Sequence, residues 1–196
     1  MYSFFKILLG ILFKLFFRCQ IIGQENIPKQ GGVIIAANHL SFWDPPLIGT
    51  FMPRPIHFMA KEELFKVPIF GWIIRQLNAF PVRRGAADRT AIRTAINTLE
   101  GGSCMGLFPE GTRSKNGLLG SAEPGLAMIA VKSGAAIVPT AIIGTNKIFK
   151  NGFFPSLELR FGKPIYIDKQ KADKENMEKI SNLVMTEIAI LLDPPE

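Results

Sequence analysis

The chain has 196 residues, 47% of them hydrophobic, with a mean hydropathy of +0.21; this length supports one domain with a full apolar core and does not call for two. A formal charge of +7 and a pI of about 9.6 favour anionic partners, but zinc-finger spacing, an aromatic RNA-binding signature and a basic recognition helix are all missing, so nucleic acid is not expected. The two cysteines, Cys19 and Cys104, make no CxxC pair and no disulfide framework, and two histidines, His39 and His57, are too few for a multi-histidine metal site. Both thiols read as free in a reducing compartment, and no metal is expected.

Residues 1–18 read MYSFFKILLGILFKLFFR. The uncharged run between Lys6 and Lys14 is far shorter than the roughly 20 residues that cross a bilayer, and no small-residue cleavage site follows Arg18. On a helix, Ser3, Lys6, Gly10, Lys14 and Arg18 form one stripe about 120° wide, with Phe, Leu and Ile around the rest. Such a helix suits the membrane interface, with its lysines reaching for lipid phosphates; packing on the core as an ordinary helix and a tilted partial span are the other readings.

Further along, short apolar runs alternate with helical patterns, which predicts a single α/β domain with a largely parallel sheet flanked by helices. Candidate strands are 33–37, 56–60, 79–82, 104–108, 136–142 and 157–161, with 165–167 as a further one. A helix capped by Asp88 carries Ile92, Ala95, Ile96 and Leu99 inward and stops at Gly101-Gly102. A second spans 122–133 with Pro124 in its first turn and Gly134 at its end. The last runs over 173–192, with an apolar stripe of Met177, Ile180, Leu183, Val184, Ile188 and Leu191. The resulting division is an interfacial helix over 1–20 and a folded domain over 21–196.

Three stretches at strand ends carry chemistry. Asn38-His39-Leu40-Ser41-Phe42-Trp43-Asp44 follows the strand at 33–37, and functional residues of open α/β sheets sit just beyond strand C-termini. A neutral His39 accepts a hydroxyl proton, and a carboxylate on its other ring nitrogen fixes the tautomer and stabilises the imidazolium. Asp44 can supply that carboxylate, or cap a helix begun by Pro45-Pro46, or both. In Phe108-Pro109-Glu110-Gly111-Thr112-Arg113, Arg113 offers bidentate donors to phosphate, Gly111 lets backbone approach a ligand, Thr112 adds a hydroxyl, and Glu110 orients Arg113 or binds a ligand hydroxyl. Without a ligand the same stretch reads as a polar turn. Phe80-Pro81-Val82-Arg83-Arg84-Gly85 is a second candidate anion site, or solvated surface charge.

Taken together, these pieces resemble the glycerolipid acyltransferase family from residue 30 to residue 145, in the family's order. His39 through Asp44 is similar to its His-x4-Asp motif. Lys61-Glu62-Glu63-Leu64-Phe65 through Arg84 is similar to its second block, and Phe108 to Arg113 to its Phe-Pro-Glu-Gly-Thr-Arg motif. Ile137-Val138-Pro139 is similar to its fourth block. At Ser121-Ala122-Glu123-Pro124-Gly125 the chain departs from the family, placing an acidic residue and a proline where a basic one is common.

The resemblance implies transfer of a fatty acyl group from a thioester, carried by acyl carrier protein or coenzyme A, to the sn-2 hydroxyl of lysophosphatidic acid, giving phosphatidic acid. It implies His39 and Asp44 as the catalytic pair, Arg84, Glu110, Gly111, Thr112 and Arg113 on the substrate, and Lys61 and Pro139 as further contacts. It also implies no cofactor beyond the thioester and a peripheral or monotopic place on the cytoplasmic face of the cell membrane. Another lysophospholipid or an amino-acid-derived lipid is the alternative acceptor. A non-catalytic lipid-binding module fits poorly with both motifs intact, and a serine hydrolase lacks its Gly-x-Ser-x-Gly elbow.

Overall fold

The structure is a computed structural model that describes residues 1–83, 88–149, 154–167 and 173–194. In chain order the elements are α1 (Tyr2–Phe16), β1 (Arg18–Ile22), β2 (Val33–Ala37), α2 (Asp44–Phe51), β3 (Ile56–Lys61), α3 (Pro68–Gln76), β4 (Ala79–Val82), α4 (Arg89–Glu100), β5 (Cys104–Leu107), α5 (Gly125–Ser133), β6 (Ala136–Ile143), β7 (Ser156–Phe161) and α6 (Lys174–Leu192). They form a single α/β domain around one sheet in the order β1-β7-β6-β2-β5-β3-β4.

The middle of the sheet is parallel: β6, β2, β5, β3 and β4 run the same way, with Val33 level with both Ala136 and Cys104. Every residue of β2 is buried, because the strand is covered on both faces, and this is why it reads as an unbroken apolar run. Val33, Ile35 and Ala37 join Leu47 and Ile48 of α2 and Phe13 of α1 on one face. Ile34 and Ala36 join Ala95 and Leu99 of α4, Ile129 of α5, and Val184 and Ile188 of α6 on the other. The connection from β2 leaves over the first face and that from β5 over the second, so the order reverses between these adjacent strands. Their C-terminal ends therefore mark the switch point, the place where doubly wound sheets bind ligands.

The Asp88 and Asp173 helices form as expected: their carboxylates accept from the amides of Ala91 and Asn176. Helix α5 starts at Gly125 rather than 122, because the Glu123 amide is drawn onto the Pro109 carbonyl, 2.8 Å away. Residues 165–167 give one bridge, Ile165 to Ile137, instead of a strand.

Two departures concern the N-terminus. The boundary at residue 20 falls inside β1, which alternates exposed and half-buried residues and pairs with β7, from Arg18 beside Ser156 to Ile22 beside Arg160. Nor does the polar stripe of α1 face outward as a whole. Lys6 donates to the Met52 carbonyl at the C-terminus of α2, where a cation suits the helix dipole. Gly10 lies against Thr50 of α2, and Phe13 is buried. Lys14 and Arg18 are exposed, and the side turned to solvent is Phe4, Ile7, Leu8, Ile11 and Leu15. Among the described residues, no helix is long and apolar enough to cross a membrane.

Candidate active site

Beyond β2, the Asn38 side chain bridges to β6, donating to the Ile142 carbonyl (2.9 Å) and accepting from the Ile142 amide (2.7 Å). That brace sets the start of the loop. The next residue, His39, is held by its main chain from both sides: its amide donates to Glu110 Oε1 (2.9 Å) and its carbonyl accepts from the Ser114 amide (2.8 Å). Its ring lies flat on Phe108, with centroids 3.9 Å apart and planes 16° apart. The turn after β5 thus fixes both the backbone and the ring plane of His39.

His39 Nδ1 is 2.7 Å from Asp44 Oδ2. A carboxylate only accepts, so Nδ1 is the donor, and in the neutral imidazole Nε2 presents its lone pair. Among the described residues, Nε2 has no hydrogen-bond partner. Asp44 is fully buried. Its Oδ2 also accepts from the amides of Leu40 and Ser41, each at 2.7 Å, and its Oδ1 accepts from the Thr145 hydroxyl at 2.6 Å. The capping alternative for Asp44 does not hold. Pro45 and Pro46 have no N–H to offer, the Leu47 amide is taken by the Trp43 carbonyl, and Asp44 itself is the first helical residue.

Thr145 carries no motif signal, yet it completes this cluster. It lies after Gly144, whose φ of +91° turns the chain at the end of β6; a Cβ there would come within 2.2 Å of the Ser156 carbonyl oxygen. Thr145→Val removes one hydrogen bond to a charged group, a loss that lowers kcat roughly tenfold if it acts through the His39 orientation. Steady-state kinetics should show KM unchanged and Thr145→Ser restoring kcat; a purely structural role would give a lower melting temperature with normal kcat.

The other expected site residues divide. Glu110 is buried, and its second oxygen accepts from the Gly120 amide at 3.0 Å. Both of its oxygens therefore serve the main chain, and among the described residues it has no ion pair with Arg113. Arg113 is exposed at the rim and lies over the Phe42 ring, 3.6 Å from its centroid, a favourable cation–π geometry. Gly111 has a φ of +65°, which lets the motif turn tightly, and Thr112 is exposed beside it. Lys61 ends β3 at the same rim, exposed and 3.4 Å from Glu63. Arg83 pairs with Glu62 at 3.1 Å, and Arg84 lies outside the described residues. Pro139 is not at the rim: it is buried within β6 level with Ala36, its carbonyl accepting from the Gly162 amide.

An apolar pocket of about 310 Å³ opens between the C-terminal half of α1 and Trp43, the residue before Asp44; Leu9, Leu12, Phe16, Phe149 and Phe154 complete its wall. Phe13 meets Trp43 edge-on at 6.2 Å, which ties α1 to the loop of the His–Asp pair.

A doubly wound sheet that delivers a carboxylate-held imidazole to its switch point, with a cation at the rim and an apolar pocket alongside, has the parts that general-base chemistry on an anionic, apolar ligand needs. The chain belongs to the acyltransferase family: the sequence model described as Acyltransferase matches residues 18–143. It is 32% identical over 170 residues to the 1-acyl-sn-glycerol-3-phosphate acyltransferase of Bacillus subtilis, covering 85% of this chain and 83% of that one. It is 34% identical over 142 residues to the chloroplastic enzyme of the same name, LPAT1, from Arabidopsis thaliana, where the match covers 70% of this chain but only 39% of the relative. The crystal structure of the 1-acyl-sn-glycerophosphate (LPA) acyltransferase PlsC from Thermotoga maritima superimposes with a TM-score of 0.79 at 31% identity, covering 100% of this chain and 81% of that one.

Proposed function

We propose that the protein transfers a fatty acyl group from a thioester of acyl carrier protein or coenzyme A to the sn-2 hydroxyl of 1-acyl-sn-glycerol-3-phosphate, giving phosphatidic acid for phospholipid synthesis. The observation that carries this reading is the His39–Asp44 pair, 2.7 Å apart at the switch point with Nε2 unpartnered among the described residues, in a chain whose matched relatives bear that activity in their names.

In this mechanism His39 Nε2 takes the proton of the acceptor hydroxyl as its oxygen attacks the thioester carbonyl. Asp44 balances the imidazolium that forms. Collapse of the tetrahedral intermediate forms the ester bond and breaks the C–S bond, and His39 returns its proton to the departing thiolate. The acceptor hydroxyl is the nucleophile, so no acyl-enzyme intervenes. Arg113 at the rim holds the acceptor phosphate, with Arg84 and Lys61 as further cations, while Thr112 and the Gly111 backbone border the glycerol. Glu110 acts by holding His39 in place. An acyl chain lies in the pocket beside Trp43. The enzyme works from the cytoplasmic face of the cell membrane, with the outward side of α1 in the lipid interface.

Competition tests the acceptor. Vesicles carrying lysophosphatidic acid, other lysophospholipids and an amino-acid-derived lyso-lipid in equal amounts should yield labelled phosphatidic acid first. Preference for a phosphate-free acceptor would overturn the roles given to the rim cations.

A further inference from the structure

Helix α3 presents an anomaly that the acyl-transfer reading does not absorb. Its nine residues, PIFGWIIRQ, are mostly large and apolar, yet Gly71 alone among them is buried. Ile69 is 76% exposed, Trp72 48% and Phe70 45%, with Val67 just ahead of the helix at 50%. Contiguous exposure of this kind marks an interaction surface.

The helix is held firmly in this pose. A Cβ at Gly71 would come within 2.5 Å of the Phe65 carbonyl oxygen, so α3 sits hard against the turn that precedes it. Arg75 lies over the Phe65 ring at 5.0 Å.

Its position gives the surface a partner. The step from β3 to β4 runs in the same direction along the sheet as the step from β2 to β3. Right-handed crossover therefore puts α3 on the face that carries α2. Trp72 meets Phe5 of α1 edge-on at 6.1 Å. The bare apolar side of α1, with Phe4, Ile7, Ile11 and Leu15 all more than half exposed, is thus joined to that of α3.

We propose that α3 is a second lipid-contact element: Val67, Ile69, Phe70 and Trp72 enter the same bilayer interface as α1, so the protein rests on this face with the switch-point rim beside the headgroups. The proposal rests on the lipid-acceptor reading. A bilayer fits better than a protein partner for three reasons. The patch continues a surface already assigned to lipid. It carries an exposed indole, the side chain best suited to the headgroup boundary. The exposed cations Lys66 and Arg75 flank it, in a chain of net charge +7 that favours anionic lipid. Nine residues are too few to span a bilayer, so the contact is interfacial.

The chain has two tryptophans, Trp43 and Trp72, so Trp43→Phe leaves Trp72 as the sole indole. Mixed with vesicles of phosphatidylcholine and phosphatidylglycerol, that variant should blue-shift, and lipids brominated on the acyl chain should quench it. Ile69→Glu in the full chain should weaken vesicle partitioning roughly tenfold or more. Transfer to a short-chain, water-soluble acceptor should stay normal in Ile69→Glu, which confirms the fold and the site. Trp72 emission that ignores brominated lipid while the protein still binds vesicles would overturn the proposal. So would an Ile69→Glu change that splits a dimer in sedimentation with partitioning intact, which would assign the face to a second copy. Neither vesicle readout depends on the acceptor, so failure of the acceptor reading shows separately, as absent lysophosphatidic acid turnover by a vesicle-bound protein.

Discussion

His39→Ala is expected to give a folded protein with turnover reduced by about 10²–10⁴, the usual loss when a positioned base is removed. The fold should survive because the surroundings do not depend on the imidazole. The Asp44 carboxylate keeps the amides of Leu40 and Ser41 and the Thr145 hydroxyl, and the main-chain bonds of His39 to Glu110 and Ser114 do not involve the ring. Thermal melting followed by circular dichroism checks the fold; single-turnover transfer checks the chemistry. A folded variant that transfers within a few-fold of wild type would remove His39 from the mechanism.

Glu110→Ala is the second large effect, and it separates two roles for one residue. As a contact for the glycerol end of the acceptor, Glu110 would chiefly set KM. The structure instead gives both oxygens to backbone amides, those of His39 and Gly120, 2.9 and 3.0 Å away. Each amide left unpaired in this buried place costs about 1–3 kcal/mol. A Cβ on Gly120 would stand 3.0 Å from Glu110 Oε2, which shows how closely the two segments meet there. The expected result is a lower melting temperature together with a fall in kcat of about ten- to a hundredfold, as the loop carrying His39 shifts. Glu110→Gln should fall between, because its Oε1 still accepts from His39 while its NH₂ would face the Gly120 donor. A raised KM with unchanged kcat and stability would restore the substrate-contact role.

Much of this could be read from local pattern. A short all-apolar stretch such as VIIAA, rich in β-branched residues and preceded by Gly31-Gly32, reads as a strand covered on both faces, and β2 is that strand. The helices after Asp88 and Asp173 announce themselves through cap and periodicity. The His-x4-Asp spacing also suffices locally, since five residues of loop bring Nδ1 and Oδ2 together.

What stayed hidden depends on partners distant in the chain. Strand β1 looks like the tail of an apolar helix until β7, some 138 residues on, supplies its ladder. Thr145 reaches Asp44 across 101 residues, and Glu110 reaches the His39 amide across 71; no spacing rule encodes either. Lys6 reads as a headgroup ligand until the Met52 carbonyl is seen to occupy it. Helix α3 has Pro68 at its first position and Arg75 in its last turn but no capping side chain, and its letters do not show that its apolar side would be left bare.

The reaction proposed for the His39–Asp44 pair is direct, base-catalysed transfer from the thioester to a lipid hydroxyl. Its most direct test follows a labelled acyl thioester with wild-type protein and vesicles, with and without 1-acyl-sn-glycerol-3-phosphate. Labelled phosphatidic acid and free thiol are expected in equal amounts when the acceptor is present, with no label on the protein. Label trapped on the protein, or thiol released without acceptor at the same rate, would contradict it.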